Sequence, residues 1–192
     1  MVVEDPIARL QAWLDEARSV VAEPHAMTLA TSTPDGKPSA RVVLLRGLDA
    51  RGLVFFTNRE SQKGRELRAN PRAAIVLHWW ELGRQARIEG TVEEVSQAES
   101  VAYWETRPRG SQLAAWASPQ SDVLADRDEL DGRVAEAHDR FTGAAVPLPP
   151  FWGGYCLVPE TIELWTHRDD RLHERVRYEL DAVGWSRMLL AP

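Results

Sequence analysis

Hydrophobic residues recur at helical spacing near the start of the chain. In DPIARLQAWLDEARSVVA, residues 5–22, the residues Ile7, Leu10, Trp13, Leu14 and Ala17 share one face, and Asp5-Pro6 is a good start signal. From Met27 the period shortens to two. AMTLATST predicts a strand, PDGKP a turn, SARVVLLRGL a second strand, DARG a turn and LVFFTN a third strand. SQKGRELRANP predicts a short helix with Ser61 as N-cap and Pro71 beyond its end. AAIVLHWW and RQARIEGTVEEV form a further pair, joined too tightly to be parallel. Helical spacing returns over 97–107, over RGSQLAAWAS with Pro108 in its first turn, and from Asp126 to Phe141. TGAAVPLPPFWGG then makes a connection of a length that often carries function. Strand patterns resume in GYCLVPETIELWTH and end in GWSRMLL. The order predicts a mainly β protein, a closed or nearly closed antiparallel barrel with peripheral helices. We read one domain: an N-terminal helix in 1–24, the first barrel strands in 25–96, a helical insertion in 97–142 and the final strands in 143–192.

One stretch admits two readings. DDRLHERVRYE, Asp169 to Glu179, scatters its cations as a helix. As a strand it aligns Arg171, His173, Arg175 and Arg177 on one face, with Leu172, Glu174, Val176 and Tyr178 opposite. The clean alternation and the preceding aspartate pair favour the strand. Such a face is either an exposed row of cross-strand ion pairs or a row of donors for an anion, and spacing alone favours the former.

Composition narrows the chemistry. The 192 residues suit one core, and 44% hydrophobic with 27% charged residues is ordinary for a globular chain. A net charge of −6 argues against nucleic acid or an anionic membrane as partner, but leaves room for a local cationic pocket. Cys156 is the single cysteine, so no internal disulfide forms. No apolar run is long enough to span a bilayer and MVVEDPIARLQAW lacks the shape of a signal peptide, so the expected setting is the cytoplasm. His25, His78, His138, His167 and His173 lack zinc-type spacing, and no metal site is expected. No dinucleotide fingerprint, P-loop or serine nucleophile elbow occurs.

Several segments are suited to anions. RVVLLR brackets a strand core with Arg41 and Arg46, whose forked donors match phosphate, although an arginine at a sheet edge is commoner. TNRESQKGRE sets Thr57, Ser61, Gln62 and Lys63 where a turn enters a helix, a favourable place for an anion or a plain cap. In YWETRPRGSQ, Tyr103 and Arg107 share a helix face and Ser111 starts the next helix; a second anion site and a surface helix–turn–helix both fit. Trp165, in IELW, reads from spacing as a packing residue.

Taken in order, RVVLLRG, FFTNRESQKGREL, ANPRAAIVLHW, RQARIEG, YWETRPRGSQLAAWAS, VPLPPFWGGY, IELW, RLHER and a final LAP resemble the pyridoxamine 5′-phosphate oxidase family, from about Asp5 to the C-terminus. That resemblance implies a split β-barrel homodimer with FMN at the subunit interface. It implies oxidation of pyridoxamine or pyridoxine phosphate to pyridoxal phosphate, with oxygen as acceptor and hydrogen peroxide as product. The FMN contacts it implies fall on Arg41, Val42, Val43, Leu44, Leu45, Arg46, Phe56, Thr57, Gln62, Lys63, Gln85, Gln120, Ser121, Trp165 and Arg175. The phosphopyridine contacts fall on Arg46, Tyr103, Arg107, Ser111, Arg171 and His173, the last two at the reacting end of the ring. Arg41, Lys63 and Ser121 would hold the FMN phosphate, Tyr103, Arg107 and Ser111 the substrate phosphate, and Arg175 would point at the flavin. The chain departs from the family pattern at Arg46, where lysine is usual, at Gln62, where arginine is frequent, at Leu189, and in having only MVVE before Asp5, where a substrate-covering extension is expected. Two other readings stay open: an FMN oxidase of phenazine-type biosynthesis, and a flavin-binding protein without turnover.

Overall fold

The computed structural model describes residues 4–192. Helix α1 spans Pro6–Ala17, capped by the Asp5 carboxylate, which accepts the Ile7 N–H at 2.9 Å. It stops short of the predicted residue 22: past Ala17 the Ser19 and Val20 N–H groups donate three residues back, to the Glu16 and Ala17 carbonyls, and the Ser19 hydroxyl also donates to Glu16 at 2.7 Å. Strands β1 (Ala26–Ser32), β2 (Pro38–Leu44), β3 (Gly47–Asp49) and β4 (Gly52–Asn58) follow, then α2 (Gln62–Ala69), β5 (Arg72–Trp79) and β6 (Arg84–Glu94). Helices α3 (Gln97–Thr106), α4 (Arg109–Ala117) and α5 (Arg127–Arg140) lead to the long strand β7 (Trp152–Thr166), then β8 (Glu174–Leu180) and β9 (Trp185–Leu189). No helix among the described residues is long and apolar enough to cross a membrane.

All strand pairs are antiparallel, in the order β2-β1-β5-β6-β7-β4-β3, with β8 on the far side of β7 and β9 beyond it. The sheet curls into a split barrel. Its interior holds Leu29, Phe55, Ile75, Leu77, Ile88, Leu157, Ile162 and Tyr178, all fully buried, and Leu10, Leu14 and Ala17 of α1 join the same core. Each such aliphatic side chain contributes about 1.5–3 kcal/mol of burial.

Two predicted elements are corrected. SARVVLLRGL is not one strand: it bends at Leu45-Arg46 and becomes β2 and β3. There the chain crosses from one edge of the curled sheet to the other, the Leu45 N–H donating to the His25 carbonyl at 2.9 Å and the Arg46 N–H to the Val54 carbonyl at 2.8 Å. β2 and β4 are not paired with each other, and the gap between them is the split. The second correction concerns Asp169–His173, which is a turn rather than the first half of a strand. Arg171 has φ 63°, and the Leu172 N–H donates to the Asp170 carboxylate at 3.0 Å. This aspartate turn breaks the alternation, so Arg171 and His173 do not share a strand face with Arg175 and Arg177.

Candidate active site

The split opens into a cleft of about 930 Å³. One wall is β2, whose alternation turns Ser39, Arg41 and Val43 inward and leaves Val42 and Leu44 exposed. The opposite wall is aromatic. The Phe56 ring stacks on Tyr103 at 4.1 Å and on Trp152 at 5.6 Å. Gly154 makes this wall possible, since a Cβ there would lie 2.6 Å from the Phe56 ring. Four cations line the cleft, Arg41, Arg46, Lys63 and Arg107, and no described carboxylate does. In a chain of net charge −6 this is a strong local inversion of charge.

The cations act as two pairs. At one end Lys63, in the first turn of α2, is buried with only neutral acceptors: Thr57 Oγ1 at 3.1 Å, Ser61 Oγ at 3.0 Å and Gln120 Oε1 at 3.1 Å. Burial, then the charge of Arg41, lowers its pKa to about 8, with Glu66 opposing. Arg41 is held by Glu66 at 3.3 Å. That carboxylate accepts hydrogen bonds from Ser39 at 2.6 Å, Gln62 at 2.9 Å and Thr31. Burial alone would raise the Glu66 carboxyl, but the bonds from Ser39, Thr31 and Gln62, with Arg41, bring it down to about 2. Arg41 is therefore aimed and fixed, whereas Lys63 lacks a counter-charge of its own.

At the other end Arg107 lies over the Trp152 ring at 4.6 Å and donates to the Ser111 carbonyl at 3.1 Å. Burial, and secondarily Arg46, lowers its pKa against the influence of Tyr103. Its Nη1 is buried with no hydrogen-bond partner. Arg46 lies over the Tyr103 ring at 5.8 Å. Unpaired buried donors are costly, so this end can accept an anion.

With its pKa lowered to about 8, Lys63 would regain its full charge beside a bound anion. Affinity for a phosphate monoester should be flat in this group below about pH 8 and fall by up to about tenfold per unit above it. A titration profile level from pH 7 to 10 would remove Lys63 from the site.

Of the residues singled out from the sequence, Arg41, Val42, Val43, Leu44, Arg46, Phe56, Thr57, Gln62, Lys63, Tyr103, Arg107, Ser111, Gln120 and Ser121 all line this cleft. Leu45 does not; it is buried in the barrel core. Gln85, Trp165, Arg171, His173 and Arg175 form a separate group on the outer face and edge of β6, β7 and β8, away from the cleft. Gln85, Trp165 and Arg175 stand in register across the three strands. The His173 ring lies 4.6 Å from that of Trp165, and its Nδ1 accepts the Arg168 N–H at 3.1 Å. Ser121 and Arg171, one in each group, are the described non-glycine residues with positive φ, at 78° and 63°; such strain concentrates at ligand sites. The sequence had not marked Ser39, Glu66 or Trp152. A signal existed for Glu66, one helical turn after Gln62 on the same face, and for Trp152 in the FWGGY motif.

The family profile described as pyridoxamine 5′-phosphate oxidase matches residues 14–141, and that described as the pyridoxine 5′-phosphate oxidase C-terminal dimerisation region matches 152–192. The pyridoxine/pyridoxamine 5′-phosphate oxidase of Rubrobacter xylanophilus is 54% identical over 98% of this chain and 87% of its own. That of Ralstonia pickettii is 54% identical over 97% and 89%. Among solved structures, PhzG from Burkholderia lata, in complex with tetrahydrophenazine-1-carboxylic acid, superposes with a TM-score of 0.94 at 39% identity, covering 99% of this chain and 94% of that one. A pyridoxamine 5′-phosphate oxidase-related, FMN-binding protein from Nostoc punctiforme shares the fold, with a TM-score of 0.77 at 20% identity and full coverage of both chains.

Proposed function

This chain belongs to the pyridoxamine 5′-phosphate oxidase family, and we propose that it is an FMN-dependent oxidase of pyridoxamine or pyridoxine 5′-phosphate. The observation that carries this is the cleft with two cation pairs and no described carboxylate: it suits two phosphorylated ring compounds side by side. The residues fit FMN. Lys63 is buried with neutral acceptors only, and Arg41 beside it is aimed by Glu66. Together with Ser121 they would hold the cofactor phosphate, while Arg107, Arg46, Tyr103 and Ser111 would hold the phosphate of the substrate.

When bound, FMN supplies hydride acceptance from the 4′ carbon of the substrate and electron transfer to oxygen, giving hydrogen peroxide. The part played by the chain is positioning and charge. Arg171 and His173 would hold and polarise the reacting end of the pyridine. The Arg168 N–H on Nδ1 leaves the proton of a neutral His173 on Nε2, so that nitrogen serves as a donor. Arg175 would place its charge at the pyrimidine edge of the flavin. These residues lie outside the cleft of their own protomer, so the reading includes a homodimer in which His173 of the partner subunit and its neighbours complete the site. The dimerisation-region match and the exposed Val42, Trp80, Leu172 and Leu189 support that assembly.

The likeness to PhzG, whose structure holds tetrahydrophenazine-1-carboxylic acid, favours a second reading, oxidation of a reduced phenazine carboxylate. One experiment separates them. With oxygen excluded, pyridoxamine phosphate should bleach the visible absorbance of the bound flavin, and a reduced phenazine carboxylate should not. Bleaching by the phenazine alone would install the second reading; bleaching by neither would leave a flavin-binding protein.

A further inference from the structure

Glu163 lies on the outer face of β7, yet its side chain is only 6% exposed. None of the roles proposed above uses it. Its direct neighbours in the strand register are Arg87 and Arg177. Arg177 turns instead to Glu179 at 2.9 Å, and Arg87 approaches Glu163 only at 3.5 Å while pairing with Glu89 at 3.0 Å. Both oxygens of Glu163 go to a diagonal neighbour, Arg175: Nε donates to Oε1 at 2.9 Å and Nη2 to Oε2 at 3.1 Å. Nη1 of the same arginine donates to the Ala191 carbonyl at 2.9 Å, near the end of the chain. A fork on a carboxylate fixes the plane of a guanidinium as well as its place.

We propose that Glu163 is the positioning residue that sets the plane of Arg175 and thereby the affinity of the site for the flavin. The proposal rests on the reading that Arg175 faces the flavin. Each terminal nitrogen of Arg175 keeps an N–H outside this clamp, available to a ligand. An exposed ion pair would not restrain the arginine. A buried carboxylate does, because rotating the guanidinium away would leave that carboxylate with Arg87 alone, at a distance too long for a hydrogen bond. The Ala191 carbonyl closes the third side.

The test is a double-mutant cycle on the dimeric protein with Glu163→Gln, Arg175→Ala and the pair, reading FMN dissociation constants by fluorescence titration and thermal melting of the apoprotein. Glu163→Gln keeps the shape and removes the charge. It should weaken FMN about tenfold, the scale of an outer-shell partner at a ligand site, and add nothing when Arg175 is already alanine. In the apoprotein the pair should melt higher than Arg175→Ala alone, because the single variant strands a buried carboxylate. FMN affinity unchanged in Glu163→Gln, or a loss that adds in full to that of Arg175→Ala, would overturn the proposal. An Arg175→Ala protein that binds FMN like the parent would overturn the placement of Arg175 itself, and the proposal with it. If Glu163→Gln does not fold, Glu163→Asp replaces it: the charge stays and the shorter reach breaks the fork, with the same tenfold loss expected.

Discussion

Replacing Lys63 with methionine should weaken FMN binding about a hundredfold or more while leaving the apoprotein at least as stable. The two halves have one cause. Lys63 is buried among Thr57, Ser61 and Gln120, all neutral, and its nearest cation is Arg41. Without an anion its charge is poorly compensated, and burial has already lowered its pKa to about 8. A lysine whose folded pKa is depressed destabilises the fold in full below about 8, and the penalty falls as pH rises from there to the ordinary value of 10.5. Methionine keeps most of the apolar stem and removes that penalty. When a phosphate binds, the same ammonium becomes one half of a desolvated ion pair, and truncating such a pair costs about 2–5 kcal/mol. Fluorescence titration with FMN and thermal melting of the apoprotein check both halves. Affinity within threefold of the parent would place the cofactor phosphate elsewhere.

Mixing two inactive variants should restore activity. Arg107→Ala damages the cleft and His173→Ala damages the group on the β7–β8 side. If each site combines the cleft of one protomer with the His173 group of the other, a mixed dimer has one site with both defects and one with neither. Random reassociation of equal amounts should then recover about a quarter of parental activity, the fraction of sites left intact in a twofold assembly. Each variant alone should stay near background. The alternative is definite: a site confined to one protomer cannot be repaired by a neighbour, so a mixture no better than its components would separate the two groups for good. The experiment addresses the least local feature of the site, since Arg107 and His173 are far apart in sequence and do not line a common cleft within the chain.

Much of this was legible before the structure. Ser61 announced the cap of α2, and its side chain accepts the Gly64 N–H at 3.4 Å. Lys63 was placed two residues into that helix, beside an anion-favouring end. Arg41 was placed on a strand, and β2 has the expected alternation. Two segments depart from their sequence pattern for one physical reason. SARVVLLRGL and DDRLHERVRYE both show unbroken period-two patterns, and both are interrupted in space. The bend at Leu45-Arg46 exists because two sheet edges reach for the same residues through His25 and Val54. The turn at Arg171 exists because the Asp170 side chain captures a backbone N–H locally. Alternation reports which residues can face a core, not where a backbone hydrogen bond finds a better partner.

Local chemistry follows from residue order: the start of α1 and the cap of α2, the alternating strands, the arginines and lysine suited to phosphate, and the family whose motifs occur in order. Those features depend on contacts within a few residues, and side-chain type with spacing is enough to specify them. Folding in three dimensions is what brings Arg41, Lys63, Arg46 and Arg107 to one cleft without a described carboxylate, sets Glu66 to aim Arg41, and has Glu163 grip Arg175 rather than its nearest neighbour in register. Burial and counter-charge are properties of closing the barrel. They depend on which strands curl together, and that is set by the whole core rather than by any one segment.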